Sequence, residues 1–359
     1  MAEENNDLAL SEVERAKQIR KYLGMTAKAW QKACDRNPEL KMLLPSVIKA
    51  RAQQVCSDLG IKTKDWKKAC RRQPELLTLL PQGIKTHADE NAKALGYTFA
   101  DWVKVCKKAP QLFEVSKDTL VRHADENMKL LDIDLEKWRK LCKQEAALAI
   151  TNKATLTKTM AINAGALDVM PEQWRDCCLE RAALLLYRPQ RLLHKIQAFT
   201  GYLAAPESLL KVYKKVPEYA RPIIKEAPKR IPPLIDYTTR RFVQHPILLI
   251  CSPEKLAYSY IMLTEEMKNF NSEVNEGDLY AYLNTSAERL ALGHYYACWA
   301  KRQGRKVGLY HLAGASEEEI RKAFEKAPGV ATNKGRKVMM DTYAQNCPLS
   351  LALRWHGRE

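Results

Sequence analysis

Five tryptophans, Trp30, Trp66, Trp102, Trp138 and Trp174, stand 36 residues apart, and five cysteines, Cys34, Cys70, Cys106, Cys142 and Cys178, keep the same interval four positions later. Chance does not hold two columns in register over five copies. A fixed period of about 20–50 residues belongs to tandem repeats, where each copy buries its apolar face only against its neighbours. A chain of 359 residues with this pattern is expected to be all-α and to form a stacked superhelix, with no single central core.

The copies share an internal plan. Leu23-Gly24, Leu59-Gly60, Leu95-Gly96, Leu131-Asp132 and Leu167-Asp168 open them. The glycine position suits a left-handed helix stop, for which Asp is a poorer substitute. Two residues on, Thr26, Thr98 and Asp134 fit as N-caps. A helix of about 11 residues follows, with Trp30, Ala33, Cys34 and Asn37 spaced i, i+3, i+4, i+7 on one face. Pro38, Pro74 and Pro110 end that helix and open a short apolar turn, PELKMLL, PELLTLL and PQLFEVS. Ala146 and Ala182 take the proline place in copies four and five, which keep Leu148 and Leu184. A second helix starts near Pro45 and Pro81, where proline fits the first turn, and carries Ala52, Ala88 and Ala124. The segment His87 to Asn91 recurs letter for letter as His123 to Asn127, which duplication explains better than catalysis.

Past residue 200 the period drifts. Pro217 has Leu209 and Tyr213 in the Trp and Cys columns; Pro246 has Thr238 and Phe242, and Pro253 follows as Pro45 follows Pro38. Gly314, Ser316, Ile320, Phe324 and Pro328 repeat the offsets of Gly96, Thr98, Trp102, Cys106 and Pro110, and the gap implies a further copy around Gly277 to Ala291. The expected organisation is an N-terminal cap helix (1–22), five regular copies (23–200), degenerate Pro-rich repeats (201–250) and degenerate repeats with a cap (251–359), about nine units in all. The prolines of 217–233 are expected to mark a bend.

A unit of Leu-Gly, first helix, Pro-x-Leu-Leu turn and second helix resembles the mitochondrial transcription termination factor (mTERF) repeat. The matching elements are Leu23-Gly24 with Pro38-Glu39-Leu40, Leu59-Gly60 with Pro74-Glu75-Leu76-Leu77, and Leu95-Gly96 with Pro110-Gln111-Leu112. They cover 23–200 well and 201–340 loosely. The resemblance implies units of two α-helices plus a short 3₁₀ turn, about nine of them stacked in a curved, right-handed-type α-solenoid. It also implies double-stranded DNA wrapped in the groove, with a role in transcription control, replication pausing or RNA metabolism. This sequence departs from the family in carrying Trp where an aliphatic residue is usual, and in an N-terminus unlike an organelle presequence. Tetratricopeptide repeats, at 34 residues, have no Pro at this place, and no pentatricopeptide motif matches.

The formal charge is +17 and the pI about 9.3, which favours an acidic partner, nucleic acid or an anionic membrane. Two residues before each cysteine-equivalent stand Lys32, Lys68, Lys104, Lys140, Asp176, Lys211, Arg240 and Lys322. Lys67, Arg139 and Arg175 lie one step earlier; Arg71, Lys107, Lys143 and Lys214 follow the cysteine; Arg36, Arg72, Lys108 and Lys215 come next; Arg241 adjoins Arg240. All fall off the Trp/Cys face and are expected to point to solvent. An ordinary solvated face mixes signs, whereas acids here are few: Asp35, Asp176, Glu180 and Glu325. Stacking turns each column into a line of charge with rungs roughly 10 Å apart, against one duplex phosphate charge per about 1.7 Å. Such contacts position a ligand without reading its sequence. The tryptophans are expected in the core, opposite the charged face, and not as stacking platforms for bases. Tyr295, Tyr296 and Trp299 beside Lys301, Arg302, Arg305 and Lys306 fit a nucleic-acid contact or a core helix followed by a solvated loop equally well.

Other functions find little support. P-loop, GxGxxG, HExxH and GxSxG motifs are missing, the seven histidines are scattered and no CxxC pair exists, so no enzyme, metal or cofactor role is expected. Column cysteines on adjacent helices would lie about 8–10 Å apart, beyond the roughly 7 Å a disulfide tolerates, and are expected as buried free thiols. The apolar run Ile247 to Cys251 is far short of the roughly 20 residues a span needs. The acidic start MAEENNDLALSEVE resembles neither a secretion signal nor a transit peptide. A monomer in a cytoplasmic, nucleoid-type or organellar-matrix setting is expected. The reading is therefore a nucleic-acid-binding repeat protein, double-stranded DNA favoured over RNA. The rival is a protein-binding α-solenoid with an acidic peptide or protein partner, and peripheral membrane attachment comes third.

Overall fold

The computed structural model describes residues 10–214, 216, 220–227, 235–269 and 276–285, and positions scattered from 290 to 322. All regular structure among them is helical, with no strand. The chain divides into two bodies, Met1–Met160 and Ala161–Glu359.

In the first body, α1 (Glu12–Leu23) precedes α2 (Ala27–Arg36), α3 (Pro45–Leu59), α4 (Thr63–Arg72), α5 (Pro81–Ala94), α6 (Phe99–Lys108), α7 (Lys117–Leu131) and α8 (Leu135–Gln144). The division between bodies falls within α9 (Lys153–Ala166). Single 3₁₀ turns, Pro38–Met42, Pro74–Leu77, Pro110–Phe113 and Ala146–Ile150, join each first helix to its second. The boundaries follow local chemistry. Gly24, Gly60 and Gly96 have φ of 71°, 63° and 66°, and Asp132 takes the same left-handed turn at 56°. The N–H one residue beyond each reaches back to close the helix, as Met25 does to the Arg20 carbonyl at 3.0 Å and Tyr97 to that of Ala92 at 2.8 Å, the six-to-one bond of a Schellman stop. Thr26, Thr98 and Asp134 accept from the backbone N–H of Ala29, Asp101 and Lys137, as N-caps should. Pro45 and Pro81 each sit in a first turn, where the missing N–H costs nothing.

The Trp and Cys columns are core. Trp30, Trp66, Trp102 and Trp138 are 5%, 3%, 0% and 1% exposed, and Cys34, Cys70, Cys106 and Cys142 are buried free thiols. Burial pushes the Cys70 and Cys106 thiols far up. Second helices pack on second helices, α3 on α5 and α5 on α7, while α4 packs on α6, and α1 covers α2, α3 and α4 at the N-terminal end.

A column not singled out above carries a second bond system. Asn91 and Asn127 are buried, and each side-chain amide donates to the backbone carbonyl 24 residues on, Val115 at 3.0 Å and Thr151 at 2.8 Å. In the second body Asn163 repeats this to Tyr187 at 2.8 Å. Each acceptor lies between a 3₁₀ turn and the helix after it, so these amides tie one copy to the next. The column continues in both directions with apolar Val55 and Phe199, both buried.

In the second body α10 (Pro171–Glu180), the turn Ala182–Leu186 and α11 (Pro189–Ala204) form the fifth copy, with Trp174 and Cys178 fully buried. Then come α12 (Pro206–Val212), α13 (Ala220–Glu226), α14 (Ile235–Gln244), α15 (Ile247–Ile250), α16 (Pro253–Asn269), α17 (Glu276–Tyr282) and α18 (Leu309–Gly314). The copy framed by Pro246 follows the plan: Thr238 and Phe242 are fully buried, and α15 takes the turn's place. Its position in the stack corrects the linear count. The first helix α10 meets α14, the turn Ala182–Leu186 meets α15, and α11 meets α16, so copy five stacks directly on the Pro246 copy. Ala182 and Pro246 are 64 residues apart, one period and a further 28. That surplus includes α12 and α13, which lie against α16, with α12 also touching α11. Leu209 is buried there as expected, but Tyr213 is only half-buried. Phe199 joins the copies through Phe242 at 5.2 Å and Tyr260 at 6.0 Å. The prolines of 228–233, and Ile320, Phe324 and Pro328, lie outside the described residues.

Trp66→Ala is expected to cost about 3–5 kcal/mol, read from equilibrium denaturation; an unchanged midpoint would contradict its place in the core. Asn127→Ala removes the donor to the half-buried Thr151 carbonyl and is expected to cost about 1 kcal/mol or more, with Asn127→Leu no better, because that carbonyl loses its donor in both.

Candidate nucleic-acid interface

The basic columns do not behave alike, because the helix turns them in different directions. Lys32, Lys68, Lys104 and Lys140 are exposed, as are Arg36, Arg72 and Lys108 one turn on. Within this outward set the electrostatics differ along the chain. Lys104 pairs with Asp101 of its own helix at 3.0 Å and Lys140 with Glu136 at 2.7 Å, yet both side chains stay 74% and 65% exposed. Lys108 donates to the Lys143 carbonyl. Lys32, Arg36, Lys68 and Arg72, on α2 and α4, make no ion pair among the described residues. Asp35, the acid between the first two, is engaged by Gln31 at 2.7 Å.

The remaining columns were also expected to face solvent; Arg71 and Lys143 are exposed, Lys67, Lys107 and Arg139 are half-buried, and all five side chains reach toward neighbouring copies. Lys107 reaches Asp65 at 2.7 Å and Lys143 reaches Asp101 at 2.9 Å, the same pairing one period apart. Lys67 is half-buried with its ammonium 3.8 Å over the Tyr22 ring. Arg71 donates to the Leu23 carbonyl at 3.1 Å and Arg139 to that of Gly96. Helix-end carbonyls lack intrahelical donors, and a guanidinium satisfies one while favouring the negative end of the helix dipole. At Gly24 and Gly96 an added Cβ would stand 3.1 Å from these guanidinium groups, so glycine here serves both the backbone turn and the cation's approach. The physical reason for the correction is position: residues next to the Trp/Cys stripe flank the inter-copy seam and are long enough to cross it.

In the second body the row weakens. Arg175 is half-buried beside Asp176, its Nε 3.4 Å from that carboxylate. Arg240 is exposed on α14 but lines a groove of about 580 Å³ that it shares with Asp168, Asp176 and Glu180. Arg241 is half-buried, bonds Gln244 at 3.0 Å and lies 5.1 Å from the Tyr237 ring centre. Lys211 and Lys214 are exposed, but α10 stacks on α14, which leaves α12 outside the succession of first helices and both lysines off the row. Lys322 is exposed and paired with Glu318 at 3.0 Å. Lys215 lies outside the described residues, as do Tyr295, Trp299 and Arg302. Tyr296 is buried and stacks on His311 at 5.4 Å, a core role for that residue.

No grouping of three or more metal-ligating side chains occurs among the described residues, and no described helix is long and apolar enough to cross a membrane. No protein-family model matches the chain, and no curated protein matches it.

The inter-copy ties predict a pH signature. Lys143 first, then Lys104, holds the Asp101 carboxyl below its usual range. A carboxylate depressed in the folded state stabilises the fold above its unfolded pKa, about 4, and that contribution is lost as pH falls through the folded value. Asp101→Asn is therefore expected to flatten the fall in stability below about pH 4. Denaturation midpoints measured from pH 7 to pH 2.5 check this, and parallel curves for mutant and wild type would show the tie to be inert.

Proposed function

We propose that this protein binds nucleic acid, double-stranded DNA in preference to RNA, through the outward face of the first helices in its N-terminal body. The observation that carries this reading is the set of cations left over once the ties are formed. Lys32, Arg36, Lys68 and Arg72 occupy equivalent places on successive copies, are exposed, and have no carboxylate partner among the described residues. Lys104 and Lys140 extend the face, because exposed pairs with same-helix acids contribute roughly 0–1 kcal/mol and yield readily to a phosphate. Two acids that would offset the face, Asp65 and Asp101, are engaged by Lys107 and Lys143 of the following copy.

The mechanism is electrostatic. Packed copies fix cations at a constant interval, phosphates replace their counterions, and release of those ions drives association. Orientation comes from the backbone contacts, with no base readout by the lysines. The mTERF-like plan of the copies supports a role in transcription control or genome maintenance.

Replacing Lys32, Arg36, Lys68 and Arg72 with Glu is expected to weaken binding at every sequence and to lower the slope of log K against log salt by about 3–4. Fluorescence titration of labelled duplex DNA, single-stranded DNA and RNA at several salt concentrations reads both quantities. Undiminished affinity with an unchanged slope would remove these four residues from the interface. Absence of binding even at low salt would favour an acidic protein partner.

A further inference from the structure

A second concentration of positive charge lies in the C-terminal body, outside the first-helix columns. It begins with a structural strut. Lys195 stands four periods after Arg51, and both reach from a second helix to backbone carbonyls: Arg51 to Leu77 at 3.4 Å, Lys195 to Cys251 at 2.7 Å. His123, in the same column, bonds the backbone of Ala149. Around Lys195, however, the strut is crowded by further cations. Lys255 donates to the Asn284 carbonyl at 2.7 Å and to its side-chain oxygen at 2.9 Å, the oxygen that also accepts from the Cys251 thiol at 3.0 Å. Arg191, one turn before Lys195, lies 4.2 Å over the Tyr187 ring, with the Lys195 ammonium 5.6 Å from the same ring. Arg181 precedes the turn that packs on α15, and with Lys255 and Lys195 it acts on the Cys251 thiol.

None of these four cations has an ion-pair partner among the described residues. Glu254, whose charge acts on Lys195, already accepts from the Tyr202 hydroxyl at 3.4 Å. Burial, and then the charge of Arg191, pull the Lys195 ammonium below its usual range. Arg181 Nε is buried with no acceptor, and leaving a buried donor unpaired is costly, more so when it is charged. A cluster of like charges holding a buried, unused N–H is stabilised by an oxyanion, which accepts several hydrogen bonds and cancels the repulsion at once.

We propose that Arg181, Arg191, Lys195 and Lys255 form a binding site for a phosphate group. Lys195 has used one of its three N–H donors and Arg191 is exposed, with its Cζ 4.2 Å over the Tyr187 ring, so both retain donors for a tetrahedral anion. The site does not depend on the duplex-binding face. The phosphate belongs either to a small phosphomonoester or to the backbone of a bound strand, and the two sources share this chemistry.

The test is isothermal titration of the full chain with inorganic phosphate against chloride at matched ionic strength. Saturable phosphate binding is expected, weakened at least tenfold in Arg191→Gln/Lys255→Gln and unaltered in Lys68→Gln/Arg72→Gln, which separates this site from the proposed duplex interface. Circular dichroism confirms folding. Arg191→Gln alone, at an exposed position away from the strut, is expected to show most of the loss and keeps the test decisive if the double variant fails to fold. No saturable binding, or equal affinity in Arg191→Gln, overturns the proposal. Competition by a nucleoside 5′-monophosphate but not by an unphosphorylated duplex would assign the site to a small ligand, and competition by the duplex to a strand; either upholds it.

Discussion

Everything in this molecule follows from the burial of one stripe on each first helix. In the five regular copies a tryptophan and, four residues on, a cysteine are buried in the core, and in the copy framed by Pro246 Thr238 and Phe242 take their places. The indole supplies large apolar area and the thiol a small, close-packing partner. Because the stripe recurs at a constant interval, the residues beside it recur too, and their roles are set by angular distance from it. Those next to the stripe cross the seam; those half a turn away meet water. The divided fate of the lysines and arginines is a geometric result of where the tryptophan points.

That division also sets what the charge can do. Basic residues near the seam hold the stack together, Lys107 and Lys143 through carboxylates, Arg71 and Arg139 through backbone carbonyls at helix ends. A guanidinium at a helix terminus completes hydrogen bonding that the helix itself cannot. Cohesion and ligand attraction thus draw on one composition. The formal excess of +17 overstates what is free for a partner, because Lys107 and Lys143 are taken up by Asp65 and Asp101.

Much of the fold was legible in the sequence. The Leu-Gly stops, the Thr and Asp caps and the proline-led turns are local devices, whose physics acts within a few residues, and they appear where the sequence places them. Asp132 and Asp168 even adopt the left-handed turn at φ 56° and 50°. The asparagine column was visible in the repeated His-Ala-Asp-Glu-Asn segment but not interpretable, because its partner carbonyl lies 24 residues away. The basic ladder was legible as composition and misread as geometry: a lysine two positions from a cysteine and one three positions away look alike in sequence, though only the first escapes the seam. The Lys195 cluster was hidden for a different reason. It assembles from the end of α10, α11 and α16 across the drift in period, and no linear pattern joins those segments.

The 28 residues beyond one period deserve a last consideration. The elements on either side, α10 with α14 and α11 with α16, are already in contact, so α12 and α13 leave the stack and rejoin it without separating its neighbours. Closing such a detour costs only a slowly rising loop entropy. The chain therefore possesses a place where its length can change by whole helices while the succession of seams stays intact.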